Sequence, residues 1–187
     1  MIHIDQIAKA ITAYLEREPG DADRLAPLVA ALGEPTDITS RETFTGHVTC
    51  SAIVLDPDRR VLHIRHNALN RWLCPGGHLE PGDTSLAEAA RREAVEETGI
   101  PAGELYLVDD VPVDIDVHPI PASAAKGEPE HQHFDLRFVF TTDGDAQVAL
   151  QAEEVHDFAW LPFGEFHLRD RVGSLLAPSG VAGGREK

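Results

Sequence analysis

The stretch from Pro75 to Pro101, PGGHLEPGDTSLAEAARREAVEETGIP, constrains this chain more than any other. It combines a glycine-rich turn with one short helix whose two ends are both marked. Ser85 suits an N-cap, and Glu88 three residues on completes a capping-box pattern. Leu86 to Glu97 are mostly good helix formers. Gly99 supplies a left-handed terminator, and Pro101 prevents continuation. At roughly 100° per residue, Glu93, Glu96 and Glu97 share one face, in line with Leu86, Ala89 and Ala90. That stripe is apolar in its first half and triply acidic in its second. Like charges at these spacings repel by about 0.2–0.5 kcal/mol per pair. Carboxylates near a helix C-terminus also oppose the macrodipole, by about 0.3–1 kcal/mol each. Arg92 can relieve Glu96 and Glu88 at i,i+4, but it cannot neutralise three acids. Two readings fit: a solvated acidic helix end, or a site for a hard divalent cation, which takes oxygen ligands.

The residues around the acids favour the cation. The stretch resembles the Nudix box, G-x5-E-x7-R-E-U-x-E-E-x-G-U, where U is aliphatic. The second half agrees position by position through Arg92, Glu93, Ala94, Val95, Glu96, Glu97, Thr98, Gly99 and Ile100, with Ala94 at an aliphatic position. The first half, Gly76-Gly77-His78-Leu79-Glu80-Pro81-Gly82-Asp83, is also similar. One extra residue lies between Gly77 and Arg92, which reads as an insertion in the loop before the helix. The first glutamate of the pattern is therefore replaced by Asp83, counting from Gly77, or by Thr84, counting back from Arg92.

The resemblance covers roughly residues 45–170 and implies an α/β (α+β) fold, an α/β/α sandwich with a mixed β-sheet. It implies a hydrolase dependent on Mg²⁺ or Mn²⁺ that cleaves the diphosphate linkage of a nucleoside diphosphate joined to another moiety. Glu93, Glu96 and Glu97 would hold the metal together with a box glycine carbonyl, here Gly77. Arg92 would orient the glutamates through charge-assisted hydrogen bonds. Family members often use a further glutamate outside the box, and Glu153 and Glu154 are the candidates, with Glu154 preferred. The alternative is a nucleotide-sensing module without catalysis, against which stands the retention of all three box acids. A related isomerase of isopentenyl diphosphate needs a catalytic cysteine, and only Cys50 and Cys74 are present.

Length, at 187 residues, suits one well-cored domain with a small attachment. Residues 4–17 carry a helical apolar face of Ile4, Ile7, Ala8, Ile11, Tyr14 and Leu15, and residues 23–32 read as a second short helix ended by Gly33. The expected layout is a helical extension over 1–40, the main domain over 41–176 and a flexible tail over 177–187. Strands are expected over 47–56, 60–66, much of 104–121 and 133–142, with a last strand and short helix beginning near 152. Arg65, Arg71 and Arg137 are candidate phosphate contacts. Trp72 and Phe134 are suited to stack on a base or to fill the core. His131 and His133 point to one side of a strand and, with His118, Asp116 and Asp135, suggest a substrate contact at His133, a second metal site or a structural role.

A net charge of −16 argues against duplex nucleic acid and anionic membranes as partners, and leaves a small nucleotide. The start, MIHIDQIAKA, lacks the basic and apolar order of a secretion signal, so a cytoplasmic setting with free thiols at Cys50 and Cys74 is expected. The apolar N-terminal helix leaves a homodimer open.

Overall fold

The computed structural model describes residues 1–66, 70–124, 127–143, 148–150 and 155–177. Among them are eight strands: β1 (His47–Leu55), β2 (Arg60–His66), β3 (Arg71–Leu73), β4 (Gly76–His78), β5 (Tyr106–Leu107), β6 (Asp114–Ile120), β7 (His131–Thr141) and β8 (Val155–Pro162). β1 and β7 pair in parallel along their length, from His47↔His133 to Leu55↔Thr141. The remaining pairings are antiparallel, so the sheet is mixed. β4 and β2 share the other edge of β1, and β5 and β6 share the other edge of β7.

Helices cover both faces, which is why β1 reads as a nearly continuous apolar run. Val48, Cys50, Ala52 and Val54 of β1, with Phe134, Leu136, Phe138 and Phe140 of β7, enter one core with α3 (Leu86–Thr98). Ile53, Leu55 and Val139 point the other way and meet Phe166, Leu168 and Val172, the last from α4 (Arg169–Leu176). The result is the expected α/β/α sandwich. Ala89, Ala90 and Ala94 are fully buried on α3, and their small side chains let the helix lie close to the sheet. The register gives the second face a polar half. His47, Thr49 and Ser51 of β1 lie beside His133, Asp135 and Arg137 of β7, which in turn face His118, Asp116 and Asp114 of β6.

The N-terminal segment joins the first core through α1 (Ile4–Arg17), which buries Ile7, Ile11 and Tyr14, and α2 (Ala26–Leu32), which buries Leu28. α2 starts three residues later than the sequence suggests, because Pro27 sits in its first turn, where a missing N–H does no harm. An ionic network fastens the segment. Asp21 accepts from Arg24 at 2.6 Å and pairs with Arg171 of α4 at 2.8 Å, while both arginines reach Asp114 of β6, at 3.2 and 2.7 Å. The Tyr14 hydroxyl bonds to Asp21, and Arg24 donates to the Ile115 carbonyl. The stretch after α2 is also pinned: Ile38 is buried and its carbonyl accepts the Val48 N–H at 2.8 Å. Val113 lies within the stretch 104–121, much of which is expected as strand. It precedes β6 and packs in the second core, whereas Ile115 enters the first. Residues 178–187 and the candidates Glu153 and Glu154 lie outside the described residues. No helix among the described residues is long and apolar enough to cross a membrane.

Candidate active site

The helix that carries the acids begins where its cap residue predicts. The Ser85 hydroxyl accepts the Glu88 N–H at 3.2 Å, which satisfies one of the free donors of the first turn. The Glu88 carboxylate turns to Arg91 at 2.7 Å instead of back to the cap or on to Arg92. At the other end Gly99 adopts φ +68°, and its N–H bonds to the Val95 carbonyl at 2.8 Å. A side chain there would be strained and would meet the Ala149 carbonyl at 2.6 Å.

Between these ends α3 delivers its glutamates to β4. Glu97 is 5% exposed, and its Oε2 accepts the Gly76 N–H at 2.9 Å. Glu93 lies directly over Gly77, where an added Cβ would come within 2.6–2.7 Å of the carboxylate atoms. Glycine at 77 is thus required by close approach. Glu96 stands outermost, with half of its side chain exposed.

Arg92 organises the acids. Its Nη1 donates to Glu93 Oε1 at 2.9 Å and to Glu96 Oε2 at 3.0 Å. Its Nη2 donates to the His78 carbonyl at 2.8 Å, which ties the helix to β4. Nε and Nη2 engage Asp83 at 3.0 and 3.2 Å, and Asp83 also accepts the Glu80 N–H at 2.7 Å. The inserted residue is therefore absorbed in the loop so that Asp83, not Thr84, meets the arginine. Thr84 uses its carbonyl to accept from Gln6 at 3.1 Å.

Burial pushes the Glu93 carboxyl up to about 7 although Arg92 opposes it, and Glu96 and Glu80 add to the rise. Burial works against the Arg92 cation, but Asp83 and Glu93 outweigh it and raise its pKa. A carboxyl destabilised as an anion, beside two further glutamates, is the electrostatic state that a bound divalent cation relieves. The donors are all oxygen, the set that Mg²⁺ and Mn²⁺ prefer. The residues fit the ion.

The other candidates are dispersed. Arg65 and Trp72 face each other across β2 and β3, with the guanidinium 5.7 Å from the ring centroid and Arg65 bonded to Asn70 at 2.7 Å. Trp72 is 38% exposed, so its ring remains open to a ligand. Arg137 is differently placed. Asp114, Asp116 and Asp135 engage it at 3.0, 2.8 and 2.9 Å, which commits its guanidinium to bracing β6 against β7. Phe134 is 1% exposed and belongs to the core. Cys50 and Cys74 are free thiols; burial pushes Cys50 well above its ordinary value and Cys74 up to about 12. Neither is poised as a nucleophile. His133 stands in a group of imidazoles that includes His47 and His78, two residues the sequence did not single out. Their only signal was register: His47 lies beside His133 in the parallel pair, a contact that no local pattern announces.

A family model of the NUDIX domain matches residues 45–177. "Probable DHNTP pyrophosphohydrolase" of Lactococcus lactis subsp. cremoris (strain MG1363) is 31% identical over 116 residues, 62% of this chain and 61% of that protein. "Nudix hydrolase 19, chloroplastic" of Arabidopsis thaliana is 32% identical over 121 residues, 64% of this chain and 24% of that protein. The chain spans less than two thirds of the length of these curated relatives. Among solved structures, a C. elegans Ap4A hydrolase binary complex superposes with a TM-score of 0.54, over 69% of this chain and 96% of that one. Its 17% identity speaks to the fold. With the box helix, the mixed sheet and the match over 45–177 in agreement, the chain belongs to the NUDIX domain family.

Proposed function

We propose that this chain hydrolyses a phosphoric anhydride bond in a nucleoside diphosphate linked to another moiety. Mg²⁺ or Mn²⁺ would be held by Glu93, Glu96 and Glu97 with the Gly77 carbonyl. The observation that carries this reading is the arrangement of Glu93: half-buried, pressed onto the bare backbone of Gly77, and gripped by Arg92. The printed name of one relative, "Probable DHNTP pyrophosphohydrolase", names pyrophosphate hydrolysis and supports it.

When bound, the cation supplies charge neutralisation on the phosphate oxygens as the P–O bond breaks. The chain's own residues do the rest. Arg92 fixes Glu93 and Glu96 in one orientation, and the Gly76 N–H fixes Glu97. Water attacks phosphorus in line, the anhydride P–O bond breaks, and the departing phosphate carries the electron pair. Glu93, or one of Glu153 and Glu154, takes the proton that the water loses. Trp72 and Arg65 offer a face for a base and a phosphate, and His133 a further substrate contact. Charge restricts the partners to small nucleotides in preference to duplex nucleic acid or anionic membrane, in a cytoplasmic setting.

The test is product release from a panel of nucleoside triphosphates, sugar nucleotides, NADH, CoA, ADP-ribose and dinucleoside polyphosphates, with Mg²⁺ or Mn²⁺. Turnover of one class is expected, reduced about 10²-fold or more in Glu97→Gln. Absence of turnover, with a metal-dependent rise in melting temperature on nucleotide addition, would replace hydrolysis by nucleotide sensing.

A further inference from the structure

Five histidines converge where β1, β4, β6 and β7 meet. His47 and His133 are neighbours in the parallel ladder, His78 pairs beside them through Thr49, and His118 faces His133 from β6. His131 lies two residues before His133 on the same side of β7. Ring centroids are 4.7 Å apart for His47 and His133, 5.1 Å for His47 and His78, and 5.2 Å for His78 and His133. One ring nitrogen from each of these three lies within 4.8 Å of the other two.

The hydrogen bonds fix which nitrogens are available. His47 Nδ1 bonds the Thr43 carbonyl at 3.2 Å, and a carbonyl only accepts, so the proton is on Nδ1 and Nε2 carries the lone pair. That Nε2 has no hydrogen-bond partner, although His47 is 1% exposed. Leaving such a buried acceptor unmet is expensive, and polar groups so placed ordinarily find a partner. His131 Nδ1 bonds the Pro129 carbonyl at 2.8 Å, which leaves its Nε2 lone pair facing His133 Nε2 at 3.3 Å. His118 Nδ1 lies 3.1 Å from Asp116 Oδ2, an ion-pair distance without hydrogen-bond geometry, so the anchored rings are those of His47 and His131. Anchoring Nδ1 to a carbonyl or carboxylate and presenting Nε2 is how proteins orient metal-binding imidazoles.

We propose that His47, His78 and His133 form a site for a divalent transition metal of the zinc type, flanked by His131 and separate from the carboxylate site on α3. The chemistry of the two donor sets differs: imidazole nitrogen suits Zn²⁺, Co²⁺ or Ni²⁺, whereas the box acids suit Mg²⁺ or Mn²⁺. Bonds of about 2.0–2.1 Å at a tetrahedral centre place ligand nitrogens about 3.3–3.4 Å apart, and one nitrogen from each of His47, His78 and His133 already lies within 4.8 Å of the other two. Ring rotations would bring these three to that spacing. His78 and His133 are half-buried, so an ion can enter beside them. The two sites touch through one residue, since Arg92 of α3 donates to the carbonyl of His78. The proposal stands independently of the hydrolase reading.

Co²⁺ is the probe. The full chain is stripped with chelator, supplied with excess Mg²⁺ to fill the carboxylate site, and titrated with Co²⁺ while the visible spectrum is recorded. The expected result is one equivalent of Co²⁺ with the intense bands of a low-coordinate, nitrogen-ligated ion. Those bands persist in Glu97→Gln and need at least about tenfold more Co²⁺ in His78→Ala and His133→Gln. Weak octahedral bands alone in the parent, or bands lost in Glu97→Gln and kept in the histidine variants, would overturn the site. X-ray absorption on the Co²⁺-loaded parent decides the matter without any variant: three or more imidazole scatterers support the proposal, and an oxygen-only shell defeats it.

Discussion

Two adjacent glycines show how finely the site depends on single atoms. The three atoms nearest a Cβ at Gly77 belong to the Glu93 carboxylate, at 2.6–2.7 Å, whereas one at Gly76 meets Ser51 Oγ at 2.3 Å and the backbone of Cys50 and Ser51 at 2.8 Å. A side chain can yield where a paired strand cannot. Gly77→Ala is therefore expected to keep its melting temperature within a few degrees while losing at least about tenfold in kcat, by displacing Glu93. Gly76→Ala is expected to lose about 1–3 kcal/mol of stability. Kinetics and thermal melts on the two variants check the contrast; equal loss of stability in both would contradict it. Glu93 makes a second prediction. Its carboxyl is raised by burial from an ordinary value of 4.5 to about 7, so the folded state holds its proton longer than the unfolded state does. Stability from this group is full below about pH 4.5 and is lost as pH rises through about 7. Metal-free Glu93→Gln should then melt higher than the parent at pH 8, with the gap closing towards pH 4.5. A gap that is constant with pH would show that burial does not perturb Glu93.

At the scale of elements, α3 was legible because its signals are local. Its cap, its terminator and its small buried face all sit within fifteen or so residues of sequence, as helix rules require. The N-terminal helices were legible as helices, but their fastening was not, since Asp21, Arg24, Asp114 and Arg171 come from distant segments. That network has a measurable consequence. Burial alone would raise the Asp21 carboxyl, but hydrogen bonds from Tyr14, Arg24 and Arg171 outweigh it and hold it at about 2. A carboxyl depressed from 3.8 gives stability that is present above pH 3.8 and lost as pH falls through about 2. Asp21→Asn should destabilise the chain by about 1 kcal/mol at pH 7, the shift being discounted for solvent screening, and by much less at pH 2. Urea unfolding at the two pH values checks this, and an unchanged midpoint at pH 7 would count against the network. The loop before α3 shows the opposite case, where sequence alone left two registers open. Only the bidentate grip of Arg92 on Asp83 distinguishes them.

For the whole molecule, a sheet covered on both faces is legible in the nearly continuous apolar run of β1 and in the resemblance of the box, but the polar half of the second face is not. His47 and His78 read locally as ordinary strand residues, and only the parallel crossover places them with His133. Net charge acts at this scale too. At −16, the molecule draws cations towards it and repels polyanions. Mg²⁺ affinity should therefore weaken as NaCl is raised from about 0.05 to 0.5 M, because the Debye length contracts from about 14 Å to about 4 Å. Calorimetric titration checks this, and a salt-independent affinity would mean that the site's own ligands dominate entirely. The central claim is that the acidic end of α3 binds a catalytic cation. Its most direct test is Mn²⁺ binding, followed by water-proton relaxation, to the parent and to Glu93→Gln and Glu97→Gln. The account predicts a Mn²⁺ site in the parent that weakens at least about tenfold in each variant. Equal Mn²⁺ affinity in all three proteins would contradict it and return the three glutamates to a solvated helix end.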